Sequence, residues 1–188
     1  MLTLLKYHWR FLNQLVVFVS LFLILSGTLI SAADAKPKRI GTYQHWRVFT
    51  DGSGADRQCF AVSEPRKKLP AGAKRGEIFL SVTHRPAHNV RYEPSIRVGY
   101  PMSDSVDPLA EIDGQPFRFF SGAQAKIEAT EWAWLEEPTR TEALIAEMKK
   151  GNQLEFTAMS ARGTQTRDSY SLLGFTRALK ALDEACAP

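Results

Sequence analysis

At 188 residues, with 44% hydrophobic, 11% aromatic and 23% charged residues, the chain is long enough for one domain with a real core and too apolar for a disordered polymer. Its formal net charge of +4 is too small to mark nucleic acid as a partner. Loss of residues 1–35 would lower that charge by only one unit, since Lys6 and Arg10 would leave together with Asp34.

The first elements in chain order are those of a targeting segment. Lys6 and Arg10 supply a positive start, Leu15–Leu25 an apolar run, and Ser31–Ala35 small residues before Lys36. This pattern predicts a signal peptide over 1–35, with cleavage after Ala35. The competing reading is a retained anchor, because Phe11–Ile30 is long enough as a helix to cross a hydrocarbon layer of about 30 Å. Asn13, Gln14, Ser20 and Ser26 interrupt that span, so removal is preferred. Export places the remaining chain in the periplasm or at the outer membrane.

Period-two alternation then dominates from Thr42 to Tyr170. It predicts strands at Trp46–Thr50, Gln58–Val62, Glu77–Thr83, Ser95–Tyr100, Leu109–Ile112, Pro116–Phe120, Gln124–Thr130, Trp132–Leu135, Gln153–Met159 and Gln165–Tyr170. Asp51–Gly54, Asp113–Gly114 and Ala161–Thr164 are the turn signals between neighbours. Two helices interrupt the strands. Thr139 to Gly151 reads as a capped helix, with Thr139 and Glu142 as a capping box, Leu144, Ile145 and Met148 as the apolar stripe and Gly151 as a left-handed stop. From about Ser171 to Cys186, Leu172, Phe175, Leu179 and Leu182 form one face that carries Cys186 with it. The fold class expected is a mainly β, antiparallel sandwich-like domain with one short helix and one C-terminal helix, occupying 36–188 as a single unit.

The cysteines are only two, Cys59 and Cys186. In an oxidising compartment such a pair is most simply a disulfide joining the two ends of the fold. Closing so long a loop stabilises by roughly 5 kcal/mol as an upper figure. Neither cysteine lies in a CxxC or beside a histidine in sequence, so a nucleophilic thiol or a metal site is not indicated.

Chemistry-bearing candidates are few. Ser160–Phe175 gathers the hydroxyls of Ser160, Thr164, Thr166, Ser169, Tyr170 and Ser171 around Asp168, and a serine near a carboxylate raises a hydrolase. The histidines after the leader, His45, His84 and His88, fall in no nucleophile motif such as GxSxG. His84 and His88 have helical metal spacing, but Pro86 between them disfavours a helix, so solvated loop histidines are expected. In an extended Thr164–Tyr170 neither face is apolar, which predicts an edge strand whose Asp168 or Ser169 starts the last helix. Trp132 and Trp134 share a strand face, read first as core and second as a sugar-stacking platform. Tyr43, Trp46 and Phe49 raise contact with a membrane interface, although no lipidation cysteine accompanies them. Arg66, Lys67, Lys68, Lys74 and Arg75 surround a Pro/Gly loop and form a candidate patch for an anionic envelope surface such as lipopolysaccharide.

Several short motifs together resemble one family. Trp46, Cys59–Pro65 (CFAVSEP), Thr83–Pro86 (THRP), Val98–Pro101 (VGYP), Ile112–Gly114, Ala133–Trp134, Met148–Gly151, Ser160–Thr164 and Tyr170–Phe175 stand in the order and spacing of the invasion-associated locus B proteins of alphaproteobacteria. The resemblance spans about 41–186. It implies an exported, disulfide-containing, mostly β domain, linked in some members to virulence and entry into host cells, with no catalytic residues, no metal and no cofactor to carry over. The expectation is therefore a non-enzymatic envelope protein that works through surface or protein contacts with an unidentified envelope or host protein. Its alternatives are an envelope hydrolase or glycan-processing enzyme, and a binding module for an anionic envelope component.

Overall fold

The computed structural model describes residues 36–187. The expected signal peptide, its cleavage point and the alternative anchor lie outside the described residues. Eleven strands form one antiparallel sheet that folds on itself: β1 (Lys38–Tyr43), β2 (Trp46–Asp51), β3 (Gln58–Ser63), β4 (Lys67–Leu69), β5 (Phe79–Arg85), β6 (Val90–Arg97), β7 (Leu109–Ile112), β8 (Gln115–Ser121), β9 (Trp132–Leu135), β10 (Gln153–Met159) and β11 (Gln165–Ser171). Their spatial order is β1-β2-β3-β5-β6-β9-β8-β7-β10-β11-β4. The helices are α1 (Thr141–Lys150) and α2 (Phe175–Ala185). The expected sandwich-like β domain with two helices is thus borne out.

The seam between the two halves is β8. Its first residues pair with β7, Arg118 opposite Leu109, while Phe119–Ser121 pair with β9 on the other half. Alternation along this strand sends Phe117 and Phe119 inward, and Phe119 meets Phe156 of β10 edge-to-face at 5.5 Å. The core continues through Val48, Ala61, Leu80, Ile96, Leu144, Met148 and Leu154. The apolar stripe of α2 closes it at one side: Phe175, Ala178, Leu179 and Leu182 are buried, and Phe175 lies 4.8 Å from Trp46.

Several local expectations are corrected. Gln124–Thr130 is a run of turns: the Gln124 side chain accepts the Ser121 N–H at 2.7 Å and Ser121 Oγ accepts the Gln124 N–H at 3.2 Å, so side chains satisfy backbone that a strand would have paired. Helix α1 starts at Thr141 without the Thr139–Glu142 capping box, because Pro138–Arg140 forms a tighter 3-10 turn before it. Gly151 is extended at φ −72° rather than left-handed. Helix α2 starts at Phe175, since Ser171 is still paired with Gln153 in the sheet and Gly174 turns the chain at φ +92°. Asp168 and Ser169 are therefore mid-strand, not caps. Strands β1 and β4 carried no alternating signal because all or most of their residues are exposed.

Candidate functional site: an aromatic sheet face with a cationic rim

Strand alternation decides which side chains leave the core on the half-sheet from β2 to β8. On β9 it buries Ala133 and Leu135 and turns Trp132 and Trp134 to the opposite face, where both are half-exposed. The expectation of core tryptophans is overturned: the two indoles do share a face, but it is the outer one. Phe120 pairs with Trp134 in register, and Phe79 stands beside Trp132. Ring centroids run Phe79–Trp132 5.4 Å, Trp132–Trp134 6.3 Å and Trp134–Phe120 5.8 Å. Farther across the same face Phe49 and Phe60 stack at 5.4 Å.

Between these rings the floor is small and polar. Ser81 and Ser95, opposite each other on β5 and β6, join Oγ to Oγ at 2.7 Å and are buried. Guanidinium–carboxylate pairs lie beside the rings: Arg47 with Glu64, Arg97 with Glu77 at 2.7 Å and Glu131 at 3.2 Å, and Arg85 with Glu93 at 2.8 Å. A hollow of about 710 Å³ is lined by Phe49, Phe60, Val62 and Phe79, and another of about 930 Å³ by Tyr92, Phe120 and Trp134.

The cationic loop joins this face at its edge. Arg66, Lys67, Lys68 and Lys74 are exposed, and among the described residues none of them forms an ion pair. Lys67 and Lys68 stand on β4, which pairs with β11, and Lys68 lines the hollow beside Phe49 and Phe60. Arg75 does not belong to the patch. Its guanidinium turns inward and donates to both carboxylate oxygens of Asp168 at 2.7 and 2.6 Å, while its Nε donates to Val98 O at 3.0 Å. The Arg75 side chain is 5% exposed and that of Asp168 is fully buried.

This pair changes the reading of the hydroxyl-rich segment. Thr166, Asp168 and Tyr170 share a face, as expected, but it is a buried face, and β11 is an inner strand flanked by β10 and β4. Tyr100 lies under the Arg75 guanidinium, 5.0 Å from ring centre to its carbon, and its hydroxyl is 2.6 Å from Thr166 Oγ1. Burial acts to lower the Arg75 pKa, but the hydrogen bonds and charge of Asp168 outweigh it and the net direction is up. Burial pushes the Tyr170 hydroxyl well above its ordinary 10.0, with the Asp168 charge adding to it. Ser169 Oγ meets Glu155 at 3.5 Å rather than a histidine. A strand holding a neutral phenol and an ion-paired carboxylate is a structural cluster, with no activated nucleophile in it.

The remaining candidates separate. His88 is exposed as expected, but His84 faces the core with a side chain 4% exposed, so it is not a solvated loop residue. Trp46 is wholly buried and its Nε1 donates to Ser171 O at 3.1 Å, which removes it from any membrane contact, whereas Phe49 stays on the outer face. Cys59 and Cys186 are bonded, with Cα atoms 6.0 Å apart. Among the described residues no helix is long and apolar enough to cross a membrane.

A family model described as "Invasion associated locus B (IalB) protein" matches residues 134–183, from Trp134 on the aromatic face to Asp183 on α2. No curated protein sequence matches. Among solved structures, invasion associated protein B from Bartonella henselae superposes with a TM-score of 0.53 at 14% identity, covering 77% of this chain and 96% of that one. At that identity the likeness is one of fold. The resemblance read from the sequence is borne out: this chain is similar to the invasion-associated locus B family in sequence over 134–183, and shares its fold with a protein of that name.

Proposed function

We propose that this domain is a non-enzymatic contact protein of the bacterial cell envelope, exported to the periplasm or outer membrane, which binds a partner protein through the outer aromatic face. The observation that carries the reading is the set of half-exposed rings Phe79, Trp132, Trp134 and Phe120 on the side away from the core. Aromatic rings and arginines, with lysines kept to the rim, are the composition of protein interfaces, and a contiguous row of partly exposed rings is the kind of apolar patch that a partner covers. A contribution to host-cell entry would be one use of such a face. The hydrolase alternative has less support, since Asp168 is locked to Arg75 and Ser169, on the opposite face of β11, meets Glu155 rather than a histidine.

Because Ala133 and Leu135 supply the core contacts of β9, replacing Trp132 and Trp134 together with serine should leave the fold in place. Cross-linking in the native envelope should join the wild-type protein to a defined partner, and the double variant should lose that product while keeping its circular dichroism. An unchanged product defeats the reading. A second reading, contact with an anionic envelope surface, is favoured by the unpaired exposed cations Arg66, Lys67, Lys68 and Lys74. Charge reversal of Lys67, Lys68 and Lys74 should then abolish binding to lipopolysaccharide vesicles, and intact binding would discard it.

A further inference from the structure

The corner where β3, β5, β6 and α2 meet carries groups that the contact face does not use. Cys59 on β3 stands directly opposite His84 on β5. Its disulfide partner Cys186 follows the last turn of α2, and Asp183 lies three residues before it, on the same side of that helix. His84 Nε2 is buried, has no hydrogen-bond partner among the described residues, and lies 3.9 Å from Asp183 Oδ1. Buried imidazole nitrogens are ordinarily paired, so this one keeps an unused hydrogen-bonding direction. A hollow of about 470 Å³ is lined by His84, Asp183, Arg91 and Cys186. Asp183 is held by the Tyr92 hydroxyl, which donates to Oδ2 at 3.0 Å, and by Arg91, which donates to Oδ1 at 3.5 Å. Its carboxylate is therefore positioned without help from the histidine.

We propose that this corner is a redox-gated metal site, closed while the disulfide stands and formed by Cys59, Cys186, His84 and Asp183 once it is reduced, with zinc as the cation it suits. In the oxidised protein the sulfurs are bonded to each other, leaving one imidazole and one carboxylate where a structural zinc takes four ligands. Among the described residues no group of three His, Cys, Asp or Glu side chains is arranged for a metal ion. A reductant of the dithiol class opens the bond: each sulfur gains one electron and one proton, and the reductant becomes a disulfide. A divalent cation then displaces both thiol protons to solvent and is held by two thiolates, the free Nε2 of His84 and the Asp183 carboxylate. Two thiolates and an imidazole select zinc over magnesium or calcium. Arg91, whose side chain is 65% exposed, pairs with Asp183 Oδ1 at 3.5 Å, and a metal taking that oxygen would turn this guanidinium out to solvent. The metal would join the same two elements that the disulfide joins, β3 and the end of α2, in chains not yet oxidised.

The test uses the whole exported domain, reduced, freed of reductant without air, and titrated with cobalt(II) as a spectroscopic substitute for zinc. The reduced protein should show thiolate-to-cobalt charge-transfer bands with intense tetrahedral visible bands, and the oxidised protein neither. H84Q and D183N should each weaken binding by about tenfold or more. Circular dichroism of the same samples controls for folding: if reduction loosens the chain, cobalt should restore the β spectrum. Absence of the bands in reduced protein overturns the proposal. So does binding that neither H84Q nor D183N weakens, or that leaves the chain unfolded, since either would be the work of two thiols alone.

Discussion

Arg75 and Asp168 form a charge pair that the fold has closed off from water, and removing one partner is far worse than removing both. Arg75→Met alone leaves a carboxylate of zero exposure facing Tyr170 and Tyr100, and truncating one side of such a pair costs about 3–5 kcal/mol. Arg75→Met with Asp168→Leu should recover most of that loss, because no uncompensated charge remains. Urea midpoints for the two single variants and the double variant measure it, and additive losses would contradict the account. His84 responds to pH in a defined direction. Burial lowers its pKa from the ordinary 6.5, Asp183 on α2 opposes that shift, and Arg91 on β6 adds to it; Tyr92 and the disulfide complete its surroundings. A base with a depressed native pKa takes up protons more readily when unfolded, so stability is full above the unfolded value and falls as pH drops below it. Urea midpoints should therefore decline from neutral to mildly acid pH more steeply in wild type than in His84→Gln.

At the scale of elements, alternation was legible and its direction was not. The sequence states that Trp132 and Trp134 share a face and that Thr166, Asp168 and Tyr170 share another. Which face is buried depends on partners far along the chain, such as Arg75, which lies 93 residues from Asp168. Polar Thr166 and Asp168 then sit inside because that arginine reaches them, and the large tryptophans sit outside because Ala133 and Leu135 fit the space within. Helix ends were misplaced for a local reason, since a paired strand residue and a 3-10 turn both overrode the caps. Gly174 is where this matters most. A side-chain carbon there would run into the Tyr43 carbonyl, and φ +92° is strained for any other residue. Gly174→Ala should destabilise by more than ~1 kcal/mol, read as a lower melting midpoint, with the loss of order concentrated in α2. An unchanged midpoint would mean that the β11–α2 turn tolerates another path.

At the scale of the molecule, the disulfide joins an early strand to the last helix across 127 residues, so it restricts nearly the whole described chain before folding begins. The helix does not depend on it alone. Phe175, Leu179 and Leu182 are buried against the sheet, an apolar contact that does not pass through the sulfurs. Replacing both Cys59 and Cys186 with serine should therefore lower unfolding stability by up to ~5 kcal/mol while leaving the β-sheet spectrum intact. In hydrogen exchange the amides of α2 should open first, because the variant loses the covalent tie at that helix while the strand ladders keep their hydrogen bonds. Exchange that accelerates equally in β10, β11 and α2 would show instead that the sheet and helix open as one cooperative unit. Retention of wild-type stability would show that the unfolded chain is already as restricted without the bond.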